Sequence, residues 1–457
     1  MATRPDPSAS FGIALPQVDG GLPQADGALP QADDTPSQAY AAWMAAHPES
    51  LPVHRHPWDV TRSDIYTQDR WQPIFAAMRG QAPVNKVTGS PYGDFWNVTT
   101  AATIREVEGQ PELFSSSFEN GGIALAEPPA DCADNFQMPM FIAMDGTDHS
   151  ARRQAVAPAF APAQMLRMAL DIRERTTEVL DSLPVGESFD WVERVSVELA
   201  AGTLAQLLGV PLEDRRLLSD WSDWASDIDC TQVPELFARR RSELRDMARY
   251  FGQLWLDRIG KPRGADVLSM MMHSGAMGQV TPEEFMGNLM LMVVGGNDTT
   301  RNTMSGLVHA LDAFPDQRAL VESDRTVIPN AVHEAIRFVT PLAHMRRTAT
   351  CDTELAGQHI VAGDKLALWY ISANRDEALF ADPDRFDVTR ANARHHLSFG
   401  HGAHRCVGSR LAELQLRILM EEMHDRRVRV HVTGAAERVL GNFAHGFRQL
   451  MVEVERG

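Results

Sequence analysis

Apolar residues recur at helical spacing through most of this chain, and proline and glycine separate the helical stretches. The pattern is mostly helical from residue 153 to about residue 260. A long helix is predicted after Thr281, because Thr281-Pro-Glu-Glu places an N-cap residue, a first-turn proline and two acids in order. That helix must end before Pro315, and helical spacing then continues to about Val339.

Strand patterns are short and occupy a smaller part of the chain. Aromatic and β-branched residues, bounded by glycine, predict strands at 95–100, 353–355, 359–361 and 366–370. We therefore expect a mainly α fold with a minor β portion, an α+β class, built as one large domain.

Residues 15–35 form a degenerate seven-residue repeat that begins Leu-Pro-Gln-Val-Asp-Gly-Gly. Proline in every repeat excludes a coiled coil, and the content of Pro, Gly and Asp is typical of disorder. We expect a disordered tail over 1–37 and the folded domain over 38–457.

Composition is that of an ordinary globular protein, with 44% hydrophobic and 23% charged residues. The four cysteines are widely spaced, which favours a reducing compartment over a disulfide framework. No apolar run is long enough to span a bilayer. The net charge of −18 argues against nucleic acid and anionic membranes as partners. We expect a cytoplasmic protein without a membrane anchor.

One cysteine lies in a glycine-rich loop, Phe399-Gly-His-Gly-Ala-His-Arg-Cys406-Val-Gly408, just before a predicted helix. Gly400 and Gly402 lack a Cβ, so the backbone can approach a flat and bulky group. Free backbone N–H groups and the helix dipole favour a thiolate at Cys406. A thiolate ligand on iron is the ligation that promotes O–O cleavage.

Two other interpretations of this loop remain at this point. His396, His401, His404 and Cys406 could form a zinc cluster, although their spacing differs from the paired ligands of structural zinc sites. Cys406 could also be a structurally inert buried cysteine. A phosphate-binding loop is excluded, because the Lys-Ser/Thr pair and the third glycine are missing.

The long helix contains Gly295-Gly-Asn-Asp298-Thr299-Thr. Two adjacent glycines inside a helix cost about 1 kcal/mol each relative to alanine, which indicates that the space is needed. The side chains of Asp298 and Thr299 can bond to the preceding turn and open the helix. A kink or a tight helix crossing would explain the same residues.

The cysteine loop resembles the haem-binding signature of the cytochrome P-450 family, Phe-x-x-Gly-x-His/Arg-x-Cys-x-Gly, at every fixed position. The resemblance implies a single fold enclosing haem b, with Cys406 as the iron ligand and Phe399 beside the haem. It also implies that Gly295 opens an oxygen-binding groove over the haem, where Asp298 and Thr299 supply protons for O–O cleavage of the co-substrate O₂.

The same resemblance assigns structural and haem-propionate residues. Glu334-Ala-Ile-Arg337 would be a buried brace behind the loop, completed by Arg385 in Asp-Pro-Asp-Arg385-Phe, although alone it is a routine ion pair. The propionates need cationic or hydrogen-bonding partners. The matching residues are His149, Arg153, Arg347 and His404, with Arg346 as a competitor for the role of Arg347.

The finer resemblance is to soluble bacterial members that hydroxylate medium-chain alkanes or fatty acids at the terminal carbon, with a monoterpenoid hydroxylase as the alternative. It rests on the segments 141–145, 295–302, 341–347 and 442–447, whereas Gly146, Glu377 and Ala403 depart from the usual pattern and leave the substrate open. The predicted substrate pocket is lined by apolar Leu291, Val294, Ala343 and Met345.

No flavin or nicotinamide motif is present, so electrons are expected from a separate ferredoxin and its reductase. Residues 390–417 contain five arginines and a single acid, Glu413, which indicates a basic dock for an acidic carrier or simply a solvated surface. A non-catalytic haem sensor and a peroxide-driven enzyme are disfavoured by the pair Asp298 and Thr299.

Overall fold

The computed structural model describes residues 35–47, 53–126, 139–227 and 233–457. The helices in these ranges are α1 (Pro36–Ala46), α2 (Asp64–Thr67), α3 (Trp71–Gln81), α4 (Ala101–Glu108), α5 (Gly146–Val156), α6 (Pro162–Asp181), α7 (Glu198–Leu208), α8 (Arg215–Ser226), α9 (Pro234–Leu256), α10 (Val267–Met272), α11 (Pro282–Ala313), α12 (Pro315–Ser323), α13 (Ile328–Val339), α14 (Tyr370–Ala373) and α15 (Ser409–Asp425).

The strands are β1 (Val84–Val87), β2 (Phe95–Val98), β3 (Phe114–Ser115), β4 (Phe189–Asp190), β5 (His344–Ala349), β6 (Thr353–Leu355), β7 (Gln358–Ile360), β8 (Lys365–Trp369), β9 (Val428–Val432), β10 (Glu437–Arg438), β11 (Phe447–Gln449) and β12 (Met451–Arg456). The largest sheet has the order β1-β2-β8-β5-β3, in which only β2 and β8 run parallel. It brings Arg347 of β5 opposite Leu366 of β8.

Helix α11 organises the helical part of the fold. It begins as the sequence predicts, because the Thr281 hydroxyl accepts a hydrogen bond from the Glu284 N–H at 3.2 Å and Pro282 occupies the first turn. Most of its residues are buried, and it packs against α7, α8, α13 and α15. A helix buried on several sides has little accessible surface, so any accessible stretch on it is informative.

The predicted class and most predicted elements are confirmed. The strand at 353–355 is observed with those bounds, and the strands predicted at 359–361 and 366–370 each begin and end one residue earlier. Strand β5 is not evident from sequence, because His344, Arg346 and Arg347 give it a polar composition although they are buried.

Helix α1 begins at Pro36, slightly before the predicted start of the domain. The predicted disordered tail falls almost entirely on 1–34, outside the described residues, and stays a prediction. Within the described ranges, no helix combines the length and the apolar character that crossing a membrane requires.

Candidate active site

Cys406 lies in a loop that folds back on itself before α15. Its backbone N–H donates to the Phe399 carbonyl at 2.8 Å, and its side chain is exposed. Desolvation by the surrounding protein raises the pKa of the Cys406 thiol, whereas the Gly408 N–H and the Arg153 guanidinium lower it. A metal cation at Sγ would supply the charge that a thiolate needs. Among the described residues, no cluster of three or more His, Cys, Asp or Glu side chains is arranged to hold a metal ion, so the geometry does not support the zinc interpretation.

The two loop glycines have a neighbour that the sequence does not indicate. Gly400 and Gly402 both have φ of +65°, a backbone conformation that favours glycine. A Cβ on Gly402 would overlap the carbonyl oxygen of Glu108 at the end of α4, and a Cβ on Gly400 would lie 3.3 Å from the Glu108 carboxylate. These glycines therefore allow the loop to pack closely against α4.

An accessible stripe interrupts the buried surface of α11. Leu291, Val294 and Thr299 are partly exposed and Gly295 is exposed, at the spacing of one helix face. The Thr299 hydroxyl donates to the Gly295 carbonyl at 2.8 Å, and a Cβ on Gly295 would meet nothing within 4 Å. By contrast, a Cβ on Gly296 would lie 2.9 Å from Leu204 of α7. One glycine thus opens a groove and the next permits a tight helix crossing.

Asp298 is buried where α11 packs against α8. It is 4% exposed, and its Oδ1 accepts hydrogen bonds from the Ser222 hydroxyl at 2.7 Å and from Arg301 at 3.1 Å. Arg301 also donates to Asp223 of α8 at 2.6 Å. We call Asp223, Asp298 and Arg301 the α8–α11 cluster. Sequence reasoning misses Asp223 and Arg301, because an isolated charge on a predicted helix carries no signal of burial.

Four of the predicted propionate partners lie together near Cys406. The rings of His149 and His404 are 4.1 Å apart, and His149 Nε2 and His404 Nδ1 are buried without a hydrogen-bond partner. Burial and the charges of Arg347, His149 and Arg153 lower the pKa of His404 to about 3. Arg153 also donates to the Arg405 carbonyl in the cysteine loop. Unpaired ring nitrogens beside two guanidinium groups suit an anionic ligand.

Arg346 does not compete for this position. Successive residues of a strand point to opposite faces, and Arg346 donates instead to the Asn120 carbonyl at 3.1 Å and to Thr348. Arg347 therefore remains the candidate, and its role towards a bound haem stays a prediction.

The brace behind the loop has a different third member from the one predicted. Glu334 and Arg337 are fully buried and joined by two hydrogen bonds of 2.7 Å. Arg390 completes the cluster at 3.2 Å from both Glu334 oxygens. The prediction of Arg385 is wrong: its side chain is exposed and pairs with Asp316, because only its carbonyl turns inward, to accept from Arg337. We call Glu334, Arg337 and Arg390 the brace.

One predicted substrate contact is also wrong. Ala343 is fully buried in a core cluster with Trp369, so it has no surface to offer a ligand. Met345 of β5 is partly exposed and remains a candidate, as do Leu291 and Val294. Val407, next to Cys406, packs against the same core cluster as Leu291 and Val294, which places the stripe and the cysteine loop on a common core.

Taken together, these groups fit haem: an accessible thiol beside backbone N–H donors, unpaired ring nitrogens with two guanidinium groups, and an open groove bearing a hydroxyl. Cys406 would ligate the iron, and His149, Arg153, Arg347 and His404 would hold the propionates. When bound, a haem of this ligation supplies the activation of O₂.

Comparison with known proteins gives the same assignment. The family model described as Cytochrome P450 matches residues 233–426. Linalool 8-monooxygenase from Pseudomonas putida is 37% identical over 402 residues, covering 86% of this chain and 98% of that protein.

Solved structures are similar over nearly the same extent. Cytochrome P450-153 from Novosphingobium aromaticivorans is 61% identical with a TM-score of 0.84, covering 88% of this chain and 100% of that one. CYP153D17 from Sphingomonas sp. PAMC 26605 is 54% identical with a TM-score of 0.84, covering 87% and 99%. The chain therefore belongs to the cytochrome P450 family and is a monooxygenase, an oxidoreductase.

Proposed function

We propose that this enzyme hydroxylates the terminal carbon of medium-chain alkanes or fatty acids, with haem b on Cys406 and electrons from a ferredoxin. The observation that carries the proposal is the α11 stripe, where apolar Leu291 lies one turn before the open groove at Gly295 and apolar Val294 lies next to it. The similarity to two P450-153 structures supports it.

The stripe selects the substrate by burial. Leu291, Val294 and Met345 offer dispersion contacts and no side-chain hydrogen bond, so orientation comes from shape. Each buried methylene contributes about 0.8 kcal/mol, and affinity should rise with chain length until the pocket is full. A narrow channel then presents the end of the chain to the reacting oxygen.

Two residues of α11, Thr299 and Asp298, deliver protons to the groove. The Thr299 hydroxyl, which now donates to the Gly295 carbonyl, can turn to donate into the groove. Once Arg301 releases it and keeps Asp223 as a partner, Asp298 can take up a proton from water and pass it to Thr299. The Asp298 carboxylate therefore connects the groove with the polar surroundings of α8.

The electron donor would dock on an arginine patch around α15. Arg394, Arg405, Arg410 and Arg417 are exposed, and all four lower the pKa of Glu413, which burial raises. Their common influence on one carboxyl group places them on one surface. Arg390 belongs to the brace and not to this patch. Such a patch attracts an acidic ferredoxin through charges that salt screens.

Carbon monoxide difference spectra and substrate titrations test the proposal. The reduced protein should give the red-shifted Soret band of a thiolate ligand, and Cys406→Ala should abolish it. Spin-state titration with n-alkanes, fatty acids and monoterpenes should show the tightest binding for linear chains, with terminal alcohols as products.

Monoterpenoid hydroxylation is the second candidate, favoured by the 37% identity to linalool 8-monooxygenase. Binding of cyclic or branched terpenes without binding of linear chains would establish it and refute the first. For the donor, Arg405→Glu with Arg410→Glu should slow reduction by ferredoxin and flatten its salt dependence. Unchanged reduction kinetics would refute this docking surface.

A further inference from the structure

Glu108, the last residue of α4, is a buried carboxylate that neither the proton chemistry nor the brace uses. Its side chain is 1% exposed. Burying an ionised carboxylate is costly unless several donors satisfy it, so the partners of Glu108 indicate what it is for.

The two carboxylate oxygens of Glu108 bind different parts of the site. Oε1 accepts from the Tyr370 hydroxyl at 2.6 Å and from Arg347 at 3.1 Å. Oε2 accepts from the backbone N–H of His401 at 2.8 Å. Glu108 thus links the candidate propionate partner Arg347 to the loop that carries Cys406.

The backbone geometry of the loop matches this contact. His401 lies between Gly400 and Gly402, the two glycines whose missing Cβ atoms admit Glu108. A side chain at residue 402 would overlap the Glu108 carbonyl oxygen. Both backbone and side chain of Glu108 therefore fix the position of this segment.

We propose that Glu108 is a positioning residue for the haem: its carboxylate aims the Arg347 guanidinium at a propionate and holds the 400–402 segment that sets the approach to Cys406. This inference rests on the haem assigned above. The negative charge of Glu108 also opposes the addition of an electron to the iron, because like charges repel.

Glu108→Gln separates these effects from fold stability. The amide has one acceptor oxygen and an NH₂ that only donates, so it cannot satisfy both Arg347 and the His401 N–H. In the haem-free protein, hydrogen exchange across 399–408 should become at least tenfold faster. In the loaded protein, haem transfer to apomyoglobin should also become at least tenfold faster, and the reduction potential should move to more positive values.

Tyr370→Phe is the matched control, because it removes one hydrogen bond to the same oxygen but keeps the charge and both other contacts. It should leave the reduction potential and the loop exchange at the values of the unmodified protein. If both variants lower only the melting temperature, with haem transfer and potential unchanged, Glu108 has a structural role alone and the proposal is wrong.

Glu108→Asp decides the outcome if Glu108→Gln does not fold. It keeps the charge but withdraws the oxygens by one methylene, so loop exchange and haem transfer should accelerate while the potential stays constant. Unaltered exchange and transfer would overturn the proposal. A failure of the haem assignment itself is distinguishable, since the unmodified protein would then show no thiolate-type carbon monoxide spectrum.

Discussion

Two buried charge clusters in this enzyme have opposite compositions. The brace has one carboxylate and two arginines. Arg337 also donates hydrogen bonds to the carbonyls of Asn374, Pro383 and Arg385. The α8–α11 cluster has two carboxylates and one arginine. It lines a cavity of about 190 Å³ together with Glu193, Asp220 and Asp227.

This difference separates a rigid support from a group that can exchange protons. In the brace every charged group is held by several fixed partners, and Glu334 and Arg337 are 0% exposed. In the α8–α11 cluster one guanidinium is shared between two carboxylates, so one of them can be released while the other stays paired. Burial raises the pKa of Asp223, which favours a proton on this cluster.

Removing the carboxylate of the brace should have the largest effect. Glu334→Gln leaves two buried arginines without a counter-charge, and losing one partner of a buried ion pair costs about 3–5 kcal/mol. We expect loss of most folded, haem-loaded protein, measured by chemical denaturation and the carbon monoxide spectrum. Arg385→Ala, the control in the same segment, should unfold like the unmodified enzyme; equal damage from both would contradict the assignment of Arg390.

Neutralising the α8–α11 cluster should reduce turnover more than stability. Asp298→Asn removes a proton donor, and general acid catalysis contributes about 10²–10⁴-fold. Product formation should fall at least 100-fold, with the carbon monoxide spectrum and substrate spin shift retained. Ser222→Ala keeps the carboxylate and removes one hydrogen bond, so its effect should be smaller. A fully active Asp298→Asn variant would show that the protons take another route.

The third member of the brace gives a smaller and more specific test. Arg390→Met removes a donor to Glu334 and to nearby carbonyls but leaves the bond between Glu334 and Arg337. Hydrogen bonds to charged groups contribute about 1.5–3 kcal/mol, so the free energy of unfolding should decrease by about that amount. A decrease no larger than that of Arg385→Ala would argue against a structural role for Arg390.

The two regions should also respond oppositely to pH. Burial lowers the pKa of His396, which lies near Arg337, to about 3 from 6.5. Its contribution to stability is complete above about pH 6.5 and is lost as the pH falls towards 3. Asp223 has a raised pKa, so its contribution is complete below its ordinary value of 3.8 and is lost as the pH rises above that value.

Each slope has a limit of about 1.4 kcal/mol per pH unit for one proton. Denaturation curves at several pH values should show that His396→Gln flattens the rise in stability between pH 4 and 6.5. Asp223→Asn should flatten the fall above pH 4. Parallel curves for the unmodified protein and both variants would mean that neither group titrates on unfolding.

Sequence patterns predict what is local in this fold. The Thr281 cap, the helix after Cys406 and the contact between Glu334 and Arg337 all lie within a few residues, and the structure has each of them. Sequence patterns do not predict contacts between residues that are far apart in the chain. The resemblance implies Arg385 for the brace, whereas the structure pairs the Arg385 side chain with Asp316 and brings Arg390 to Glu334.

The residues that sequence reasoning misses are held by long-range contacts. Glu108 meets Arg347 and Tyr370 only because β5, α14 and α4 come together in the fold. Asp223 reaches Arg301 because α8 crosses α11. Ala343 fails as a substrate contact for the same reason, since its burial depends on the packing of β8 and not on its neighbours in sequence.

Gly295 and Gly296 of α11 differ in how easily a larger residue could replace them during evolution. At residue 295 a methyl group would enter open space, so the groove can become narrower in small steps without disturbing the fold. At residue 296 the same methyl group would lie 2.9 Å from a terminal methyl of Leu204 on α7, so the Leu204 side chain would have to move. A larger residue at 295 can therefore change the size of substrate that fits. A larger residue at 296 would instead disturb the packing of α11 against α7, so substrate size and fold stability depend on different positions.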